Sequence, residues 1–366
     1  MKVFFYPHNY LRDRHLDIVR HWPHEEIVNL EMLNQRKGAQ VSRSKALQST
    51  IGRSWKQVVP LLNIKRRPPD LSSDTVVYVW GSVMASGKYI SDLDNPYSLV
   101  GYNLRAMPLW RPVIRRFLLS ARCIEVRCMS EACKRTLHHL FGEEVAAKAV
   151  VCYPYIEQQV LSVDAVEKDG PRFLFVGTQF DIKGGQALLR AWPRVVTAIP
   201  GARLDVVTHL PNHHKALINV SGLTIHEAKF SRDEIWQKFL RKSDVLILPT
   251  YMESFGMVAL EALAHGLALV VTDVYALAEI VENGINGFLL SPPLSVWDGF
   301  LPSVFHYQAD SLFEIARSTD TSEFEHNLVR AMIETGRDKS RLLAMRRASL
   351  RLFENQFAST IPGVSC

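Results

Sequence analysis

Glu253 and Glu261 lie eight residues apart in Glu253-Ser-Phe-Gly-Met-Val-Ala-Leu-Glu261, on either side of a Phe-Gly turn. Carboxylates so spaced can hold the two ends of one ligand, and a carboxylate can accept from two neighbouring hydroxyls at once. A second stretch, Phe175-Val-Gly-Thr-Gln-Phe-Asp-Ile-Lys-Gly-Gly185, has the composition of a phosphate loop. Gly177 lets the backbone approach a ligand, Lys183 supplies a mobile cation, and Gly184 and Gly185 open a helix N-terminus to an anion. A glycine loop after a strand can also simply turn the chain. Taken together, the two stretches point to a nucleotide diphosphate site.

Strands and helices must position these residues. Asp244-Val-Leu-Ile-Leu-Pro-Thr250 reads as a buried parallel strand, because its apolar residues follow one another without alternation and Pro249 ends the ladder. A helix is predicted from Phe255 through Met257, Leu260, Glu261 and Leu263, at the carboxyl end of that strand, where α/β folds bind phosphates. The pattern predicts further strands near residues 3–6, 75–80, 124–128, 150–153, 173–176, 203–208, 223–227 and 267–272. Predicted helices fall near 131–141 (with Ser130 as N-cap), 185–199, 233–241, 276–283 and 338–357. This alternation is the signature of an α/β fold with mainly parallel sheets.

A chain of 366 residues exceeds the size of a usual single core. The polar segment 156–172 reads as a linker between two Rossmann-like domains, 1–160 and 161–340, and residues 341–366 are expected to return to the first. With 47% hydrophobic and 22% charged residues the chain has an ordinary globular composition, and its net charge of +6 weakly favours anionic partners. Five cysteines, three recurring every five residues, match neither a zinc knuckle nor a disulfide framework and read as reduced thiols. The N-terminal apolar run is too short for a signal peptide and no run of about 18 apolar residues occurs, so a cytoplasmic protein is expected.

The order Phe-Val-Gly-x5-Lys-Gly-Gly, then Ser243-Asp-Val-x-x-x-Pro-Thr250, Glu-Ser-Phe-Gly-x4-Glu-Ala262, Ala264-His-Gly-x5-Thr-Asp273 and Glu279-x-Val-x-x-Gly-x-Asn-Gly287 resembles the family 4 retaining glycosyltransferases (glycosyl transferases group 1) of the GT-B fold. The resemblance is specific over roughly 170–290 and faint in the first half, which would bind the acceptor. It implies two Rossmann-like domains facing a cleft, a nucleotide diphosphate sugar of UDP or GDP type as co-substrate, no cofactor and no obligatory metal. Glu261 would then bind the ribose hydroxyls and Glu253 would lie beside the donor sugar. Backbone N–H groups of Phe255, Gly256 and Met257 would meet the sugar and phosphates, and Lys183 would neutralise the departing diphosphate. Gly177, Thr178, Gly184, Thr208, Ala228, Lys229, Thr250 and Ser254 complete the expected donor contacts.

The chain departs from the family in two places. Relatives often carry an arginine near the loop lysine, where this chain has Thr178 and Ile182; Arg53, Arg12 or Arg14 could replace it. The first strand runs into Pro7-His-Asn-Tyr-Leu11 rather than a glycine pair. Relatives also place a histidine at the tip of a middle strand, and Asp92 or Asp94 could take that catalytic position. Asp-x-Asp also fits a divalent-metal site, and Asp94-Asn-Pro96 fits a simple turn. His8, His138, His139, His209 and His265 read as structural, and His213-His214 as surface.

Basic residues interleave with aromatics and aliphatics in Arg53–Arg67 and in Trp110-Arg-Pro-Val-Ile-Arg-Arg116. They fit a solvated face over core, or a helix lying on an anionic membrane. On the membrane reading the acceptor is a lipid-linked saccharide or growing polysaccharide at the inner face. No nucleic-acid module accompanies these charges. The sequence reading is a metal-independent transferase of hexosyl type. A nucleotide-sugar epimerase on the same architecture and a non-catalytic nucleotide-sugar-binding partner remain as alternatives.

Overall fold

The computed structural model describes residues 1–8, 11–34, 60–163, 169–303 and 309–358. Two compact units divide between Tyr155 and Ile156. In the first, β1 (Val3–Tyr6), β2 (Val76–Trp80), β3 (Tyr89–Leu93), β4 (Cys123–Cys128) and β5 (Ala149–Val151) form a parallel sheet in that order. Alternate residues of β2 feed opposite cores. Val76, Tyr78 and Trp80 pack with Phe5 and Trp22, near α1 (Asp13–His21). Val77 and Val79 pack with Ile114 and Leu118 of α2 (Met107–Leu119) and with Leu137 of α3 (Glu131–Phe141). Each such side chain contributes roughly 1.5–3 kcal/mol by leaving water.

Asp92, which the sequence offered at a strand tip, lies within β3, and Asp94 just past its end. The polar residues of β3 are tolerated in the middle of the sheet because they find partners there. Ser91 Oγ donates to the Ser82 carbonyl at 2.8 Å, and Asp92 accepts from Tyr78. The predicted Asx-Pro turn is present at Asn95-Pro96, where the Asn95 side chain accepts from Tyr97 N at 2.8 Å.

The second unit has a six-stranded parallel sheet made of β6 (Arg172–Val176), β7 (Arg203–Thr208), β8 (Leu223–Glu227), β9 (Val245–Leu248), β10 (Ala268–Thr272) and β11 (Gly287–Leu290). The spatial order is β8-β7-β6-β9-β10-β11. The chain therefore winds outward one way from β6 and the other way from β9, and these two strands are neighbours. Their carboxyl ends form the topological switch point at which doubly wound sheets bind ligands. The helices are α4 (Gly185–Ala198), α5 (Arg232–Lys238), α6 (Met257–Ala264), α7 (Ala309–Ser318), α8 (Ser322–Gly336) and α9 (Lys339–Leu352). The helix expected over 276–283 is a 3₁₀ turn, Tyr275–Glu279.

The terminal helix α9, expected to return to the first domain, packs on the second unit. Arg346 Nη1 meets Asp244 Oδ1 at 2.7 Å, Arg346 Nε donates to the Gly266 carbonyl, and Ser349 Oγ donates to the Leu267 carbonyl at 2.6 Å. The basic residue thus answers a buried acid at the foot of β9. Cys152 is disulfide-bonded, which corrects the reading of five reduced thiols; Cys123, Cys128 and Cys133 are buried free thiols.

Candidate active site

Both loops at the switch point lead into helices that no side chain caps. The N-cap of α4 is Gly184 (φ +73°) and that of α6 is Gly256 (φ +91°). By contrast, Ser130 caps α3, and Ser231 with Glu234 forms a capping box on α5. The left-handed glycines let the two loops approach closely. A Cβ on Gly184 would lie 2.0 Å from the Pro249 carbonyl oxygen, and one on Gly256 would lie 2.4 Å from Leu277 Cδ2. The Tyr251 N–H donates to the Ile182 carbonyl at 2.9 Å, joining the loops directly. Ile182 itself is buried, so an apolar residue stands there as part of the loop's packing.

Lys183 reaches across from the first loop to the second. Its Nζ lies 2.7 Å from Glu253 Oε2 and 2.9 Å from the Met252 carbonyl, and both charged side chains keep 19% exposure. Glu253 Oε1 accepts from the N–H of Ser254 at 3.1 Å. The cation and the carboxylate assigned to leaving group and sugar are therefore neighbours, beside two helix N-termini whose partial positive charge favours an anion.

Other expected contacts occupy different roles. Thr208 Oγ1 donates to the Gly177 carbonyl at 2.6 Å, and Thr250 Oγ1 donates to the Met252 carbonyl at 2.8 Å. Both threonines are fully buried and shape the loops from behind. Phe255 is buried, Ser254 and Met257 are half-buried, and Thr178 is exposed. Ala228 and Lys229 follow the edge strand β8, with Lys229 exposed.

Glu261 sits on α6 and is nearly buried. Its Oε1 accepts from Arg232 Nε at 2.6 Å, and the Arg232 guanidinium lies 4.6 Å over the Trp236 ring. One turn along, His265 Nδ1 lies 2.7 Å from the Glu261 carbonyl. Burial holds the His265 imidazole down at about 4, although its bond to that carbonyl pulls the other way. Neither Arg232 nor Trp236 carries a motif. The Ser231-x-x-Glu234 spelling, which fixes where α5 begins, was the one available signal.

Asp181, within the phosphate loop, is buried and bonded to His214 Nε2 at 2.8 Å, with Arg317 Nε at 3.1 Å. His214, read from sequence as surface, is buried, and that burial lowers its affinity for protons despite Asp181. Among the described residues, the ligand atoms of Asp181, His213 and His214 lie within 4.8 Å of one another, but the Arg317 charge on Asp181 opposes a cation there.

In the first unit Asp92 and Asp94 are both buried. Asp92 accepts from Tyr78 Oη at 3.0 Å and lies 3.4 Å from Arg14 Nη1; Asp94 accepts from Tyr102 Oη at 2.7 Å. Burial works against the Arg14 charge, but Asp92 and Asp94 outweigh it and raise its proton affinity. Arg14 is thereby an internal counter-ion in its own unit, whereas the sequence offered it as a phosphate contact. His15 stacks on Trp80 at 4.0 Å, and burial, helped by Arg14 and Arg12, keeps it neutral. Arg53 and the segment around it fall outside the described residues.

Residues 170–298 match the family model described as Glycosyl transferases group 1. An uncharacterised glycosyltransferase of Methanocaldococcus jannaschii is 30% identical over 140 residues, which are 35% of this chain and 33% of that one. The D-inositol 3-phosphate glycosyltransferase of Rhodococcus erythropolis is 31% identical over 147 residues, 36% of this chain and 32% of its own. The chain thus spans about a third of the length of these curated relatives. The crystal structure of Anabaena HepE in complex with UDP aligns over 99% of this chain and 97% of its own, with a TM-score of 0.61 and 14% identity. At that identity the likeness carries the fold, which is GT-B.

Proposed function

We propose that the chain is a glycosyltransferase that takes a sugar from a UDP- or GDP-linked donor and passes it, with retention and without an obligatory metal, to a saccharide or lipid-linked acceptor. The observation that carries this reading is the switch point itself, where Lys183 and Glu253 stand between two helices that no side chain caps. Breaking the bond from an anomeric carbon to diphosphate builds negative charge on the leaving oxygen. An ammonium and oriented N–H groups at that place act on the transition state. Glu253 lies beside the sugar, and Glu261 accepts the ribose hydroxyls. In the first unit, Asp92 and Asp94, held by Tyr78, Arg14 and Tyr102, are the residues proposed to orient the acceptor.

The acceptor side of the proposal rests on α2. Leu109, Pro112, Val113 and Arg116 share one helical face and are exposed, Leu109 by 77%. An apolar face with a basic residue suits contact with an anionic membrane, and so a lipid-linked acceptor in polysaccharide or glycoconjugate synthesis. No described helix is long and apolar enough to cross a membrane.

Nucleotide diphosphates are screened first by thermal shift, which needs no acceptor. Donor hydrolysis and transfer are then measured for the wild type and Glu253→Ala. Turnover that falls in the variant while nucleotide binding persists supports the proposal. Binding of a nucleotide diphosphate with no turnover in any acceptor pool would leave a binding protein instead.

A further inference from the structure

We infer that Arg232 is a positioning residue that sets the Glu261 carboxylate for a ribose diol, and so governs discrimination between ribo- and deoxyribonucleotides. This rests on the reading of Glu261 as the ribose ligand. To hold a vicinal diol, a carboxylate must present its oxygens in a fixed plane. A single glutamate on a helix has rotatable bonds that leave that plane undefined. Here Arg232 Nε engages Oε1 at 2.6 Å, with both side chains largely withdrawn from solvent.

The arginine is itself held in place. The Ser231/Glu234 capping box sets the first turn of α5, and Arg232 opens that turn. Its guanidinium lies over Trp236, four residues on. Trp236 in turn meets His265 edge-on, with ring centroids 5.7 Å apart. His265 Nδ1 must donate to the Glu261 carbonyl, because a carbonyl only accepts. Glu261 is therefore fixed at both ends by one chain of contacts from α5 back to α6. The planar fork matters as well as the charge, so lysine is not an equivalent replacement.

The test compares UDP with 2′-deoxy-UDP, and GDP with 2′-deoxy-GDP, by titration calorimetry on the full chain. In the wild type, loss of one hydroxyl to a charged acceptor is expected to weaken binding about 10- to 100-fold. Arg232→Gln should shrink that ratio to within about threefold. Arg232→Lys, which keeps the charge and protects folding, should retain only part of it. A purely structural Arg232 would weaken both nucleotides equally, leave the ratio intact and so overturn the inference. Glu261→Gln separates the two levels. If it abolishes the ratio while Arg232→Gln preserves it, the positioning role is wrong and the ribose reading stands. If Glu261→Gln itself preserves the ratio, the ribose reading falls and the inference with it.

Discussion

Replacing Gly184 with alanine tests whether the close approach of the two switch-point loops is what makes the site. The residue has φ +73°, where an L side chain costs roughly 1–2 kcal/mol. The new Cβ would also lie 2.0 Å from the Pro249 oxygen, 2.8 Å from its carbonyl carbon and 3.1 Å from its Cγ. Two of these atoms are backbone, so no rotamer relieves the clash, and the loops must part by about 1 Å to restore ordinary contact. Overpacking of this kind adds about 1–3 kcal/mol, for a total of roughly 2–5 kcal/mol. Parting the loops also stretches the bond from Tyr251 N to the Ile182 carbonyl and moves Lys183 from Met252 and Glu253. Displacement on that scale can cost on the order of 100-fold in function, so nucleotide diphosphate affinity should fall at least about 10-fold. Gly284→Ala is the control, with φ +81° and nothing within 4 Å of its Cβ. It should lose about 1–2 kcal/mol and keep its affinity. Urea unfolding and titration calorimetry read both quantities. Equal behaviour of the two variants would refute the argument from loop proximity.

Lys183→Met should lower turnover by about 10²–10³, the effect of removing one donor at a developing charge, as read by steady-state donor hydrolysis. Arg346→Met leaves Asp244 without its 2.7 Å partner in a largely buried place and should destabilise the second unit by about 3–5 kcal/mol in urea unfolding. His265 has a folded value of about 4 against 6.5, so below pH 6.5 the unfolded chain binds protons that the folded one excludes. Stability should then fall by about 3 kcal/mol between pH 6.5 and 4, and His265→Gln should flatten that stretch of the urea-midpoint profile. Leu109→Asp with Val113→Asp should abolish co-sedimentation with anionic vesicles and leave the unfolding midpoint unchanged, since both side chains are exposed.

How much the sequence revealed depended on where each residue's partners lie along the chain. Strands buried on both faces, such as Val245–Leu248 and Ala268–Thr272, announce themselves as unbroken apolar runs. The Tyr89–Leu93 strand does not, because Ser91 and Asp92 interrupt its run and find their partners far along the chain, in Ser82, Tyr78 and Arg14. Lys183 and Glu253 were legible through the glycines that must flank them. Arg232 was not, since its role exists only once residue 261, 29 positions away, is brought beside it. Thr208 and Thr250 stand at the right strand ends, yet their hydroxyls turn inward to backbone carbonyls. No pattern of residue types distinguishes that from facing a ligand.

The ion pair between Asp244 and Arg346 also bears on how the chain is made. Asp244 borders β9 at the centre of the second sheet, yet its charge finds its guanidinium 102 residues later. A ribosome adding about 5–20 residues per second needs roughly 5–20 s to cover that interval. During it, β9 and β10 are already synthesised while the carboxylate beside them, which also accepts from the Arg172 N–H at 2.9 Å, has yet to meet Arg346. Completion of the second unit is thus timed to the arrival of α9, and nascent chains stalled before residue 346 should be open to proteolysis.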